Sequence, residues 1–233
     1  MNLAIDIGNT AVKWGAFEGR TLVAHGHGIP TEYLATAGHA LLCASGEVPA
    51  ELAAVPRLCA DMPLPVHLNY KTPSTLGPDR IAAVCGAWSL HPGEASLVID
   101  CGTCVTLEYI ASDGTYHGGA IMPGLGMNLQ ALHTFTAKLP LLDIATVHKA
   151  PLLGRSTEEC ILAGTLGAMQ LALAGYVASF KGIAPGLRVV VTGGDAERIV
   201  PPASEGREHQ PHLTLIGLNE VMQNTTTNRP QHK

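Results

Sequence analysis

The stretch LAIDIGNTAVKWGAF, residues 3–17, decides how this chain is read. An apolar run carries Asp6, turns over Gly8-Asn9-Thr10, and resumes as a second apolar run carrying Lys13. Gly and Asn in a tight turn between β-rich runs predict a hairpin, with strands over 2–8 and 11–17. A buried strand has no need of an ionisable group, so Asp6 and Lys13 point to a ligand. Gly8 allows the backbone to approach that ligand closely. Successive N–H groups in a tight turn form an anion-binding concavity, and Asn9 and Thr10 add side-chain donors. Lys13 is a point charge suited to phosphate oxygens. Asp6 is a hard oxygen ligand for Mg²⁺, directly or through water. On its own, this hairpin is explained equally well as an ordinary turn beside a solvated lysine.

The pattern recurs, and the second copy changes the balance. ASLVIDCGTCVTLEYI, residues 95–110, is again an apolar run, an Asp, a Gly-Thr turn and a further apolar run. Asp100 takes the place of Asp6, Thr103 offers a hydroxyl toward a phosphate or nucleotide, and no lysine follows. A duplicated hairpin, each copy followed by further strands and helices, predicts two related α/β units with a boundary near residue 94.

The 233-residue chain is 46% hydrophobic and 14% charged, with a mean hydropathy of +0.21. Such a chain buries a real core and is not disordered. Its net charge is −5 and no Lys/Arg block is present, which argues against a nucleic-acid face. The apolar runs are interrupted short of the roughly 20 residues of a membrane span, and the N-terminus lacks signal-peptide features. These features predict a soluble cytoplasmic protein without a membrane partner.

Elsewhere the pattern predicts a strand in RTLVAHGHGI, residues 20–29, and a helix over 31–44 capped by Thr31. Short strands and loops are expected over 46–78 and a helix over GPDRIAAVCGAWSL, residues 77–90. A strand follows in TYHGGAIMPG and a helix over 125–139, stopped by Pro140. A long helix is predicted over 156–180, with Ser156 as its N-cap and Glu159 three residues on. LRVVVTGGDA reads as a strand running into a turn, and HLTLIGLNEVMQ as a short strand and a helix. The polar tail from residue 224 is expected to fray.

Chemistry is legible in three further places. In LGPDRIAA, Asp79 and Arg80 lie where a turn meets a helix start. Asp79 can take a proton from an attacking hydroxyl, and Arg80 can grip a carboxylate or hydroxyl. A capping Asp beside a surface Arg is the plainer alternative. In CGTC, a redox helix would have to follow Cys101, but VTLEY is strand chemistry. A zinc site would need a second ligand pair, and the histidines show no metal-binding spacing. The six cysteines therefore read as buried thiols in a reducing compartment. In VTGGDA, the paired glycines suit either a flat ligand or a strand-to-helix turn. Neither a Walker A loop nor a G-x-G-x-x-G fingerprint opening a helix is present.

DIGNTAVKWGAF, GPDRIAAVCGA, VIDCGTCVTLEYI, GGAIMPGL, TAKLP and VTGGDA occur in this order. This ordered set resembles the type III pantothenate kinases over residues 2–196. The resemblance implies an α/β fold of two ribonuclease H-like domains, as in actin/hexokinase-like ATPases, with a cleft between them. The domains would span residues 1–94 and 95–233. It implies ATP-dependent phosphorylation of pantothenate, the first step of coenzyme A synthesis, by a homodimer that needs Mg²⁺ and a monovalent cation (K⁺ or NH₄⁺). By motif, Asp6, Ile7, Gly8, Asn9, Thr10, Ala11, Val12 and Lys13 would form the ATP phosphate loop, with Asp6 also toward Mg²⁺. Asp79 would be the proton acceptor, and Tyr70, Gly77, Pro78, Asp79 and Arg80 would line the pantothenate pocket. Asp100 would bind the monovalent cation and Thr103 would contact ATP. Thr157 would contact substrate, donated across the dimer interface. The chain departs from the pattern over 46–75 and at Cys101 and Cys104, where apolar or small residues are usual. A kinase for another hydroxylated substrate, and a non-catalytic nucleotide-binding regulator, are the rival readings on the same fold.

Overall fold

The predicted first hairpin is present in the computed structural model, which describes residues 1–200 and 207–227. Strand β1 (Asn2–Ile7) pairs antiparallel with β2 (Val12–Glu18), and Asp6 lies opposite Lys13. β3 (Thr21–His27) adds to β2. β4 (His39–Ala44) lies parallel to the other edge of β1, so the sheet order is β3-β2-β1-β4.

That fourth strand corrects the helix expected over 31–44. Helix α1 is short, Thr31–Thr36, with Pro30 rather than Thr31 in the cap position. HALLCA is extended because both of its faces are buried. Leu41 and Cys43 join one apolar cluster with Ala4 and Phe17, and Leu42 joins another with Leu3, Ile5 and Ile7. A strand covered on both faces loses its alternation and reads like a helix segment.

The chain divides into two compact units. The first comprises Met1–Ser96, Glu108–Gly118 and the segment from His212 onward; the second comprises Leu97–Leu107 and Gly119–Pro211. These units are interleaved along the chain, whereas the sequence suggested one boundary near residue 94. The C-terminal helix α7 (Leu213–Thr227) belongs to the first unit because it packs on α2 (Pro78–Leu90) and β1. Its first turn corrects the strand expected at HLTLIG. Leu215, Leu218, Val221 and Met222 are buried at helical spacing in the cluster that holds Ile81 and Cys85.

A second, six-stranded sheet has the order β10-β9-β6-β7-β8-β5. It comprises β5 (His67–Leu68), β6 (Ser96–Cys101), β7 (Cys104–Ile110), β8 (Thr115–Pro123), β9 (Arg188–Thr192) and β10 (Arg207–His209). The second predicted hairpin is β6-turn-β7. Helix α3 (Leu125–Thr134) ends before the expected residue 139.

The long helix is interrupted. Ser156 Oγ caps α4 (Thr157–Leu162) by accepting the Glu159 N–H at 3.2 Å, and Glu159 Oε2 accepts from the Arg155 N–H at 2.6 Å. A π-helical turn, Ala163–Gly167, then leads into α5 (Ala168–Ile183). Taken together, Thr157–Ile183 is long and apolar enough to cross a membrane by length and composition, which the sequence reading did not anticipate. A core helix of a soluble protein can pass the same test. α6 (Ala196–Ile199) is a single short turn.

Two glycines set the spacing of α2 and α7. A Cβ on Gly217 would overlap the Ala82 carbonyl, and one on Gly86 would overlap the Leu213 carbonyl. Gly217→Ala is therefore expected to lower stability by about 1–3 kcal/mol through overpacking. Urea denaturation checks this, and an unchanged midpoint would contradict it.

Candidate functional site

In the first unit, the turn from Gly8 to Ala11 is closed by the Gly8 N–H donating to the Ala11 carbonyl at 3.0 Å. Asn9 and Thr10 are exposed at its tip. The Ser45 and Gly46 N–H groups both donate to the Ile7 carbonyl, which ties the loop after β4 to the end of β1. A Cβ on Gly46 would come within 2.6 Å of the Gly8 carbonyl oxygen, so this packing needs glycine.

Asp6 precedes the turn, with Lys13 opposite on β2 and Cys43 opposite on β4. The Cys43 thiol donates to Asp6 Oδ1 at 3.3 Å. Burial pushes the Asp6 carboxyl above the ordinary carboxylate range. The thiol hydrogen bond and Lys13 pull it back, and the nearby Asp79 pushes it up again. The Cys43 thiol is itself raised well above its usual value, first by burial and then by Asp6. Two carboxylates sharing a partly dry site suit a hard cation. No group of three or more His, Cys, Asp or Glu side chains forms a metal cage among the described residues. Mg²⁺ is commonly held by one or two carboxylates together with substrate phosphates and water.

Asp79 sits in the first turn of α2, after Gly77 and Pro78. Its Oδ1 accepts the Arg80 N–H at 3.0 Å. A Cβ on Gly77 would lie 2.5 Å from that same oxygen, so Gly77 makes the room in which the carboxylate sits.

Arg80 is buried, contrary to a surface role. Its Nε donates to Glu108 Oε1 at 2.5 Å and its Nη2 to Glu108 Oε2 at 2.8 Å. Nη2 also donates to the Tyr116 hydroxyl at 3.0 Å, and that hydroxyl donates to Glu108 Oε2 at 2.5 Å. Nη1 reaches the Tyr70 hydroxyl at 3.5 Å. Burial opposes the charge of Arg80, but the Glu108 carboxylate outweighs it and raises the pKa. Tyr116 is raised by burial and by Glu108.

In the second unit, Asp100 is the next-to-last residue of β6, a Cβ on Gly102 would lie 3.8 Å from its Oδ1, and Thr103 is exposed in the β6–β7 turn. The Gly102 N–H donates to the Cys104 carbonyl, and the Gly124 N–H donates to that of Thr103. Gly193, at φ +96°, lies directly against the Cys101 backbone, and the Asp195 N–H donates to the Cys101 carbonyl at 2.9 Å. The VTGGDA glycines thus make a strand-to-helix turn. The Cys101 thiol is pushed up to about 12 by burial and by Asp100 and Asp195, which suits a packed thiol, not a reactive one. All six cysteines are free. Thr157 begins α4 and lines a depression of about 740 Å³ with Leu132, Leu139, Gly154, Ser156 and Cys160.

The structure thus brings Asp6, Lys13 and Asp79 together, and Tyr70 with Arg80. Sequence reasoning missed Cys43, Glu108 and Tyr116. A signal existed for one of them, since Glu108 is a lone charge inside the apolar run of β7.

Comparison with known proteins fits this geometry at the level of the fold first. The chain is similar to a Campylobacter jejuni protein assigned to the Baf family of transcriptional activators (TM-score 0.62, 18% identity, 97% of this chain and 99% of that one). It is also similar to the activator of 2-hydroxyisocaproyl-CoA dehydratase from Clostridium difficile with bound ADPNP (TM-score 0.57, 11% identity, 100% and 99% covered). A ROK family protein from Streptococcus pneumoniae follows (TM-score 0.51, 12% identity, 97% and 99% covered). The fold is that of the actin/hexokinase-like ATPases. The sequence comparison is narrower. A family model for type III pantothenate kinase matches residues 50–179. Type III pantothenate kinases of Phocaeicola vulgatus and Cytophaga hutchinsonii are 39% and 34% identical, each over 95% of this chain and 98% of the relative. The chain belongs to the type III pantothenate kinase family.

The raised Asp6 carboxyl carries a pH signature. A carboxyl raised on folding keeps its proton where the unfolded chain has lost it, so its ionisation costs stability as pH rises through the folded value. In chelator-treated, nucleotide-free buffer, Asp6→Asn is expected to raise the urea midpoint at pH 7. The gain should shrink toward about pH 4, near the ordinary carboxylate value. A gain that does not change with pH, or a loss at pH 7, would contradict it.

Proposed function

We propose that this chain transfers the γ-phosphoryl group of ATP to the primary hydroxyl of pantothenate, giving 4′-phosphopantothenate and ADP. Family membership supports the reaction. The observation that carries the residue roles is the first unit's arrangement of Asp6, Lys13 and the Gly8–Ala11 turn beside Asp79.

In this reading residues 6–13 hold the triphosphate. The turn and the Asn9 and Thr10 side chains face its oxygens, and Lys13 offsets charge developing on them. Mg²⁺ held at Asp6, directly or through water, would neutralise phosphate charge. Asp79 accepts the proton of the pantothenate hydroxyl as its oxygen bonds to phosphorus and the bond to ADP breaks. The Arg80 N–H holds one oxygen of Asp79, leaving the other to take the proton. Tyr70 and residues 77–80 line the acceptor pocket, and Arg80 positions the acceptor. Much of the rate then comes from positioning and charge stabilisation. In the second unit, Asp100 binds the monovalent cation and Thr103 contacts ATP.

The active species is a cytoplasmic homodimer, in which Thr157 reaches the substrate of the partner subunit. Leu171, Tyr176 and Ile183 on α5 are exposed apolar side chains that a partner would cover.

The test is ADP release from ATP and Mg²⁺, with and without pantothenate, in K⁺ and in Na⁺. Pantothenate-dependent ADP, a product of the mass of 4′-phosphopantothenate, and rates far higher in K⁺ are expected. ATP binding without pantothenate-dependent turnover would favour a nucleotide-binding regulator or another acceptor. Equal rates in K⁺ and Na⁺ would remove the cation role from Asp100.

A further inference from the structure

Glu108 is fully buried in β7, a strand whose Val105, Leu107 and Ile110 are also fully buried. An ionised carboxylate there is tolerated only if it is paired and hydrogen-bonded. It is held by three donors: Arg80 Nε, Arg80 Nη2 and the Tyr116 hydroxyl. A buried ion pair of this kind is a weak source of stability compared with apolar packing, but it fixes geometry. The Nε–Nη2 edge of Arg80 is occupied by a fork of two parallel bonds. Tyr116 takes a further Nη2 hydrogen, so the guanidinium cannot turn without breaking several short bonds.

The cluster is graded in exposure. Glu108 and Tyr116 are fully buried, Arg80 is nearly so, and Tyr70 is only half-buried. The Tyr70 ring stacks on Tyr116 with centroids 5.9 Å apart, and its centroid lies 5.8 Å from Arg80 Cζ. The Tyr70 hydroxyl accepts from Nη1 at 3.5 Å, which leaves its own O–H available as a donor. Nη1 and Tyr70 therefore form the outer face of a network whose inner face is Glu108.

We infer that Glu108 and Tyr116 are positioning residues that hold Arg80 so that its Nη1, together with the Tyr70 hydroxyl, is presented to an oxygen of the acceptor substrate. The inference rests on the reading of the chain as a pantothenate kinase. It gives two buried side chains a role in acceptor affinity that neither fulfils by touching the acceptor.

The experiment is steady-state kinetics of Tyr116→Phe and Glu108→Gln against wild type, with thermal melting of each. Tyr116→Phe removes one hydroxyl and keeps the ring. It is expected to raise the KM for pantothenate about tenfold, as for a lost hydrogen bond to a charged group. The KM for ATP and kcat should stay within about twofold. Glu108→Gln is expected to raise the pantothenate KM by about ten- to a hundredfold on the same reasoning. A folded Tyr116→Phe enzyme with an unchanged pantothenate KM would overturn the inference, as would parallel rises in both KM values. Wild-type enzyme without pantothenate-dependent turnover would instead overturn the functional reading, before any variant is compared.

Discussion

The structure turns on one desolvated carboxylate. Asp6 sits in the middle of a three-strand arrangement, with β2 on one side and β4 on the other. Strand pairing fixes its neighbours as Lys13 and Cys43. Burial acts against its charge, and the adjacent Asp79 acts in the same direction. The fold therefore holds a carboxylate whose charge is opposed by burial and by a second carboxylate. Sites that bind charged ligands commonly keep such a cost, because the interaction that destabilises the empty protein is the one the ligand relieves.

Helix α2 couples that site to the core. Its first turn carries Asp79 and Arg80, and Gly77 clears the space for the Asp79 carboxylate. Its middle lies against α7 at a distance only glycine allows. Between these, Arg80 is fastened to Glu108 of β7 and Tyr116 of β8. The orientation of the first turn is thus set by apolar packing at one end and a buried ion pair at the other.

Local signals carried the parts of the fold that depend on local chemistry. The hairpin around Gly8-Asn9-Thr10, its second copy at Gly102-Thr103, the capped start at Ser156 and the Pro78 helix start were all readable from turn and cap residues. The errors came where tertiary packing overrode pattern. HALLCA lost its alternation because both faces are covered, and HLTLIG alternated by chance while its leucines served a helix. The π turn at Ala163–Gly167 left no clear local mark. In the site, Asp6, Lys13, Asp79 and Arg80 stood out as charges at turns or in apolar runs. The charge partner of Arg80, 28 positions downstream, could not be paired without the fold.

The most direct measurement separates ATP binding from phosphoryl transfer at Asp79. Turnover of pantothenate and equilibrium affinity for Mg·ATP would be measured in wild type and in Asp79→Ala. Loss of turnover by about a hundredfold or more, with ATP affinity nearly unchanged, is expected of a proton acceptor. Parallel loss of turnover and ATP affinity would place Asp79 in the nucleotide site and contradict its role as the base.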